Sequence, residues 1–216
     1  KKDMGGGAHA LALARLIMAL KLPVHLHVLV PAIENAIAGN AYRPGEVIAT
    51  RRGYKVEIHN TDAEGRVILC DALAYAAETQ PDLIIDFATL TGAARVALGP
   101  ELPALFCNRD ALALALTTKG DLLADPLWRM PLHRPYRRLF ESDIADFSNA
   151  SRTTFAGAVT AALFLDYFVP EEIAWCHVDL FAWNDISRPG RPAGGEGQTL
   201  RSFLAVLEDR YLPVER

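Results

Sequence analysis

Apolar and polar runs alternate along the chain in a way that predicts helices and strands in turn. Apolar residues at helical spacing predict helices at 5–21, 67–78, 111–123, 155–168 and 199–211. Short apolar runs between turn residues predict strands at 24–30, 82–88, 102–107 and 173–180, and a hairpin at 47–58. Because strands and helices alternate, we expect the α/β class: a mainly parallel mixed sheet flanked by helices.

A polar stretch, Asn60-Thr61-Asp62-Ala63-Glu64-Gly65-Arg66, separates the predicted hairpin from the helix that follows it. In an extended backbone, alternate residues point to the same side, so Asp62, Glu64 and Arg66 would converge. Two close carboxylates repel each other unless a cation lies between them, which favours a divalent metal ion. Acids before a helix also serve as caps and dipole partners, so the spacing alone leaves this second interpretation open. The flanking strand and helix favour the metal, because open α/β sheets bind ligands at the carboxyl ends of their strands.

Composition excludes several classes of function. The chain has 216 residues, 51% hydrophobic and 22% charged, which is ordinary for a soluble globular domain. A formal charge of −4 gives no electrostatic basis for binding nucleic acid. Three widely spaced cysteines form no paired motif, and no stretch is long enough to span a membrane. We therefore expect a cytoplasmic protein that binds neither membrane nor nucleic acid.

The acidic stretch, with Cys70-Asp71-Ala72-Leu73 after it, resembles the signature of the leucine aminopeptidases, the M17 family of dinuclear metallopeptidases. Further blocks resemble the family in the same order along the chain: Lys2-Asp3-Met4-Gly5-Gly6, Glu34-Asn35, Ala41-Tyr42-Arg43-Pro44-Gly45, Asp86-Phe87-Ala88-Thr89-Leu90-Thr91-Gly92-Ala93, Asp143-Ile144-Ala145-Asp146 and Trp175-Cys176-His177-Val178-Asp179. Together the blocks cover most of the chain. The resemblance implies a metal-dependent aminopeptidase that removes N-terminal residues from peptides through a water activated by two metal ions.

The resemblance also implies a set of metal ligands. Glu64 would bridge two divalent ions, Asp62 would bind one of them, and Asp3 would bind the other. Zinc or manganese is expected, and magnesium is also chemically reasonable for carboxylate ligands. Arg66 would be catalytic, because the family's arginine at this place holds a bicarbonate that relays the proton of the nucleophilic water. A salt bridge from Arg66 to Asp62 or Glu64 is the alternative that the residues leave open.

Substrate contacts follow from the same resemblance. Thr89, Leu90 and Gly92 would line the substrate site, with the Leu90 carbonyl near the free amine of the peptide. The family commonly continues after the late strand with small residues, whereas this chain has Phe181-Ala182-Trp183-Asn184. We expect Phe181 and Asn184 to lie beside the first side chain of the substrate and to weaken any preference for leucine.

The extent of the chain is a separate expectation. The family places a further lysine and aspartate among its ligands, and these positions precede residue 1. We therefore expect residues 1–216 to be a single catalytic-domain portion, truncated at its N-terminus, that by itself binds metal weakly and is poorly active. The complete enzyme would act on peptides in the cytoplasm as a homo-oligomer, a hexamer by resemblance.

Two rival functions stay open at this stage. The first is a non-catalytic binding or regulatory protein of the same fold, since some members of the family also bind DNA. The second is a dinucleotide-binding oxidoreductase, suggested by Gly5-x-Gly7-x-x-Ala10. No predicted strand precedes that glycine pattern, so close helix packing is the better explanation for it.

Overall fold

The computed structural model describes residues 2–33 and 38–212. Its helices are α1 Gly5–Ala19, α2 Glu64–Ala77, α3 Gly92–Leu98, α4 Asp110–Leu122, α5 Gly157–Asp166 and α6 Leu200–Tyr211. Short 3₁₀ turns cover Lys2–Met4, Thr61–Ala63 and Arg134–Phe140. Within the described residues, no helix is both long and apolar enough to cross a membrane.

The strands form three small sheets. They are β1 Val47–Ala49, β2 Lys55–Glu57, β3 Leu83–Ala88, β4 Ala104–Cys107, β5 Trp128–Arg129, β6 Phe147–Ser148, β7 Ala174–Asp179, β8 Trp183–Asn184 and β9 Gly194–Gly195. The sheet orders are β3-β7-β4-β5, β1-β2-β6 and β8-β9. β4 runs parallel to β5 and antiparallel to β7, while β2 runs parallel to β6 and antiparallel to β1. The predicted α/β class with mixed sheets is confirmed.

The chain divides into two compact units. The first unit comprises Lys1–Leu29, Ile85–Met130 and Trp175–Arg216, and the second comprises Val30–Ile84 and Pro131–Ala174. The division does not test the single-domain expectation, which stays a prediction.

In the first unit, helices α1, α4 and α6 pack together beside the four-stranded sheet. α6 contacts both α1 and α4. The rings of Phe87 and Phe203 meet edge to face, with their centroids 5.3 Å apart. Strand β4 is buried along its whole length, as expected for a central strand.

In the second unit, α2 packs on α5 beside the three-stranded sheet. α5 is buried along its whole length after its first residue, and its sequence is apolar apart from Thr160 and Asp166. An aromatic cluster joins this helix to the sheet, and in it Phe147 stacks on Tyr167 with the ring centroids 4.4 Å apart.

Most of the predicted elements are confirmed, with ends that shift by a few residues. The hairpin at 47–58 forms as an antiparallel pair in which Ile48 lies opposite Val56. The two-residue strands β5, β6, β8 and β9 were not predicted, because such short pairings leave no periodic pattern in the sequence. The Glu34-Asn35 block lies outside the described residues.

One predicted strand is wrong. Residues 24–30 are irregular, and Leu26, Val28 and Val30 are exposed. A strand needs a neighbour to receive its backbone hydrogen bonds, and no described strand pairs with this run. The apolar pattern predicted a buried strand, but a local pattern contains no information on whether a partner strand is present.

Candidate functional site

The acidic stretch lies in the second unit, where the backbone turns from strand to helix. After β2, Thr61–Ala63 form a 3₁₀ turn and α2 begins at Glu64. The side chain of Asn60 caps the turn by accepting the Asp62 backbone N–H at 2.9 Å. The expectation of an extended backbone here is therefore wrong, and i, i+2 residues of a helical turn do not face each other. Alternation cannot be the reason for Asp62 and Glu64 to share an ion.

Asn149, which the sequence analysis missed, holds this stretch in place. Its side-chain oxygen accepts the backbone N–H groups of His59 at 2.9 Å and Asn60 at 3.1 Å, and its amide donates to the Asn60 carbonyl at 2.7 Å. The Asn149 carbonyl accepts a hydrogen bond from Arg66 Nη1 at 3.1 Å. Because β6 pairs with β2, Asn149 lies opposite the start of the acidic stretch and is fully buried. The Asn149 side chain thus fixes the loop, and its backbone carbonyl fixes the arginine.

Glu64 has a side-chain oxygen suited to binding a cation. Its Oε2 atom is buried and has no hydrogen-bond partner among the described residues. A buried carboxylate oxygen without a partner is costly, and such an atom in a native structure calls for an ion, a water or a strain. The charge of Glu64 also acts on Tyr42, whose pKa is raised by burial and then by this carboxylate. A divalent ion fits this oxygen, since carboxylates are common ligands of such ions.

Asp3 lies in the first unit, at the point where α1 meets the carboxyl end of β3. A Cβ atom added to Gly6 would lie 2.2 Å from the Phe87 carbonyl oxygen, and one added to Gly5 would lie 2.9 Å from the Thr89 side chain. Only glycine permits so close an approach. The exposed Asp3 therefore precedes the first turn of α1, which packs closely on the end of β3. This contact confirms the packing role expected for the glycines.

Asp179 holds the loop that follows β3. Its carboxylate accepts the Leu90 N–H at 3.1 Å, the Thr91 N–H at 3.1 Å and the Thr91 hydroxyl at 2.6 Å. The Thr91 hydroxyl oxygen in turn accepts the Ala94 N–H and caps α3. Burial raises the pKa of Asp179. The hydrogen bonds to one buried carboxylate thus fix the loop that contains Leu90 and Gly92.

A second buried carboxylate supports the strand that carries Asp179. Asp86 accepts the Trp175 indole N–H at 2.7 Å, and its other oxygen lies 2.5 Å from His177 Nδ1. The structural hydrogen bonds expected for His177 and Asp179 are therefore present.

Phe181 follows β7 and is partly exposed. The guanidinium of Arg95, on α3, lies over its ring at 5.1 Å from the centroid. Arg95 Nη1 is buried and has no hydrogen-bond partner among the described residues, and the contact of the guanidinium with the ring is a cation–π interaction. Phe181 thus lies beside the helix that begins at Gly92.

Asn184 has a structural role in the hairpin that follows β7. It is buried, and its amide donates to the carbonyls of Arg191 at 2.8 Å and Pro192 at 3.0 Å. These bonds close the hairpin of β8 and β9, so its amide hydrogens are already used. A contact between Asn184 and substrate stays a prediction, but one that now requires the hairpin to stay intact.

His9 links α1 to the Phe181 segment. Its Nδ1 lies 2.7 Å from the Gly5 carbonyl, and its Nε2 accepts the Gln198 backbone N–H at 2.9 Å. The Gln198 side chain accepts the Ala182 N–H at 2.9 Å. Burial lowers the pKa of His9. This relay also escaped the sequence analysis, because it joins residues 189 positions apart.

The candidate residues fall into one set in each unit. The second unit holds Asp62, Glu64 and Arg66, while the first unit holds Asp3, Thr89, Leu90, Gly92, Phe181 and Asn184. Within the described residues, no group of three or more His, Cys, Asp or Glu side chains is already arranged as a metal site. The convergence of Asp3 with Asp62 and Glu64 stays a prediction.

Known proteins resemble the whole chain. A cytosol aminopeptidase of Coxiella burnetii, known from a crystal structure, is 59% identical, with a TM-score of 0.95 over 98% of this chain and 46% of that one. A mutant of tomato leucine aminopeptidase is 36% identical, with a TM-score of 0.84 over 95% of this chain and 40% of that one. A probable cytosol aminopeptidase of Roseiflexus castenholzii is 46% identical over 97% of this chain and 43% of its own length. The chain thus spans less than half the length of these relatives.

The family assignment rests on the same span. Residues 1–204 match the catalytic domain of the cytosol aminopeptidase family, peptidase family M17. The match includes Asp3, the acidic stretch, the loop after β3 and the Phe181 segment, all of which the structure places at strand or helix ends. The chain belongs to the cytosol aminopeptidase family.

Proposed function

We propose that this chain is the catalytic portion of a metal-dependent aminopeptidase that removes N-terminal residues from peptides. The observation that carries the proposal is the buried, unpartnered Oε2 of Glu64, at the first residue of α2. A cation would satisfy such an oxygen, and family membership supports a divalent metal ion as that cation.

Asp3, Asp62 and Glu64 are the residues of this chain that would hold two divalent ions, zinc or manganese, with magnesium as a further candidate. When bound, such an ion pair lowers the pKa of a water and polarises the scissile carbonyl. Asp3 and Asp62 are exposed and Glu64 is partly buried, so an ion can approach the first two from solvent.

The remaining residues orient groups around the reaction. Asn149 fixes the acidic stretch and, through its carbonyl, the Arg66 guanidinium. Arg66 could then bind bicarbonate through two parallel hydrogen bonds and keep a proton acceptor beside the reacting water. Asp179 fixes the Leu90 peptide by accepting its N–H, and the Leu90 carbonyl would receive the substrate amine.

The experiment uses the intact protein that carries this chain. Dialysis against a chelator should remove its metal and abolish hydrolysis of leucine p-nitroanilide, and zinc or manganese should restore both. The readouts are metal content by mass spectrometry and kcat/KM.

A protein that stays folded, binds no divalent ion and hydrolyses no aminoacyl p-nitroanilide would contradict the proposal. That result would favour the non-catalytic binding or regulatory alternative. Full activity after complete metal removal would contradict the metal dependence alone.

A further inference from the structure

Two cysteines face each other across the central strands of the first unit. Cys107 ends β4 and Cys176 lies opposite it on β7. Their sulfur atoms are 3.1 Å apart, with the Cys176 thiol donating to Cys107 Sγ, and both residues are free cysteines. Neither sulfur has a role in the proposed peptidase site.

The backbone permits these two residues to form a disulfide. The Asn108 N–H donates to the Trp175 carbonyl at 3.2 Å, which makes 108–175 a bonded pair of the antiparallel ladder. Pairs joined by backbone hydrogen bonds alternate along the ladder with pairs that are not. Cys107 and Cys176 therefore form a pair without backbone hydrogen bonds, and the Cα atoms of such a pair lie about 4.5 Å apart. Disulfides span Cα separations of roughly 4.4–6.8 Å, with sulfurs about 2.05 Å apart. The sulfurs would need to approach by only about 1 Å to bond.

The two thiols are not equivalent. The hydrogen bond from Cys176 lowers the pKa of Cys107, and the nearby Arg129 and Arg109 act in the same direction. Burial raises the pKa of Cys176. Cys107 also ends its strand and is 4% exposed, whereas Cys176 is fully buried. Thiolates are the attacking species, so Cys107 is the better nucleophile and Cys176 the better second partner.

We propose that Cys107 and Cys176 form a hydroperoxide-reactive dithiol that closes to a reversible disulfide. The Cys107 thiolate attacks a peroxide oxygen, the O–O bond breaks, and the leaving oxygen takes a proton to give water or an alcohol. Cys107 is then a sulfenic acid. The Cys176 thiol attacks that sulfur, the S–S bond forms, and the hydroxyl leaves with the thiol proton as a second water. A small-molecule thiol reopens the disulfide by exchange.

Cys70 provides a matched comparison inside the same chain. It is also a free, buried cysteine, but its thiol donates to the Val67 carbonyl at 3.0 Å and burial raises its pKa. It lies in the second unit, on α2. Because its thiol donates to a carbonyl and burial raises its pKa, Cys70 should neither react first with peroxide nor enter a disulfide with Cys107 or Cys176.

The test treats the reduced, folded protein with hydrogen peroxide, removes the excess with catalase, and then blocks free thiols in denaturant with N-ethylmaleimide. Digestion without reductant should yield one peptide pair joined through Cys107 and Cys176, with Cys70 blocked. Dithiothreitol before blocking should abolish the joined pair. The proposal would be overturned if N-ethylmaleimide labelled Cys107 and Cys176 completely after a peroxide treatment that oxidises a reference dithiol.

Variants test the assigned order. Cys176→Ser should leave a sulfenic acid on Cys107 that dimedone labels, while Cys107→Ser should leave Cys176 unlabelled and Cys70→Ser should not change the disulfide. Equal dimedone labelling of Cys107 and Cys176 in the two single variants would contradict the assigned roles.

The mapping of the disulfide in the unsubstituted protein does not require any variant to fold. It is also independent of peptidase activity, so its failure and that of the proposed function are separate results.

Discussion

His9 makes two hydrogen bonds that require a neutral ring with its proton on Nδ1. Nδ1 donates to the Gly5 carbonyl, and Nε2 accepts the Gln198 N–H. Protonation would place a second donor on Nε2, facing another donor. The lowered pKa of His9, caused by burial, agrees with this arrangement. A single ring therefore ties the start of α1 to the segment that carries Phe181.

Stability should depend on pH through His9. Unfolded histidine titrates near pH 6.5, whereas folded His9 stays neutral to lower pH, so the unfolded state binds the extra proton. The contribution of His9 to the free energy of unfolding is fully present above pH 6.5. It is lost as the pH falls below that value, by up to about 1.4 kcal/mol per pH unit. Urea unfolding at pH 7.5 and pH 5.5 should show a smaller loss in His9→Gln than in the unsubstituted protein. The exposed His133 serves as control, and His133→Gln should keep the full loss. An unchanged loss in His9→Gln would contradict this role.

Single residues also mark how far sequence could lead. Asp62, Glu64 and Arg66 stood out because they are charged, close in sequence and part of a family signature. Asn149 and His9 did not, because their partners are distant in the chain and an asparagine or histidine alone carries no local pattern. Their importance arises from hydrogen bonds that exist only after the strands pair, as with Asn149 and the backbone of Asn60, 89 positions away.

At the scale of elements, the contact between α1 and β3 sets where Asp3 lies. The helix begins with three glycines, and Gly6 lies where any side chain would overlap the carbonyl of Phe87 and the Cα of Ala88. Both atoms belong to the backbone of β3, so neither can move aside easily.

Gly6→Ala should therefore destabilise the fold by about 3 kcal/mol or more, at the upper end of overpacking costs. Gly195→Ala is the matched control, because a Cβ there meets nothing within 4 Å, and it should change stability by under about 1 kcal/mol. Urea unfolding of both variants gives the comparison. A Gly6→Ala protein as stable as the control would show that the helix start can shift outward.

The segment after β7 should set substrate preference. The Arg95 guanidinium lies over the Phe181 ring, and the family resemblance leads us to expect Phe181 beside the first side chain of the substrate. Phe181→Ala should widen the pocket and raise the ratio of kcat/KM for leucine over alanine substrates by about tenfold, because further methylenes could then be buried. Ile186→Ala, at an exposed site beyond the segment, should leave the ratio unchanged.

An unchanged ratio in Phe181→Ala would mean that Phe181 does not face the first side chain of the substrate. Asn184 is unsuited to the same test, since its amide closes the β8–β9 hairpin and a substitution would disturb the backbone.

Elements also show why sequence prediction succeeded for some segments and failed for others. Helices such as α1 and α2 and the buried strands β3 and β7 have long patterns of their own. The run at 24–30 has a strand's pattern but no described partner, and β6 has a partner, β2, but only two residues. Pairing depends on the rest of the molecule, which a local pattern does not contain.

At the scale of the whole molecule, the chain matches the family's catalytic domain yet spans less than half the length of its relatives. Its candidate residues form one set in each unit. The acidic stretch contains a buried carboxylate oxygen without a hydrogen-bond partner, so Glu64 carries the account of metal binding.

The most direct test of that account measures metal content and kcat/KM of the intact protein with Glu64→Ala and Arg66→Ala. Glu64→Ala should lose bound metal and all activity, because Glu64 would be a ligand of both proposed ions. Arg66→Ala should keep its metal and lose roughly 10²–10⁴-fold in rate, the range of an assisted proton transfer. Glu78→Ala, at the exposed end of α2, should match the unsubstituted protein in both readouts. A folded Glu64→Ala protein with full metal content and undiminished kcat/KM would contradict the account.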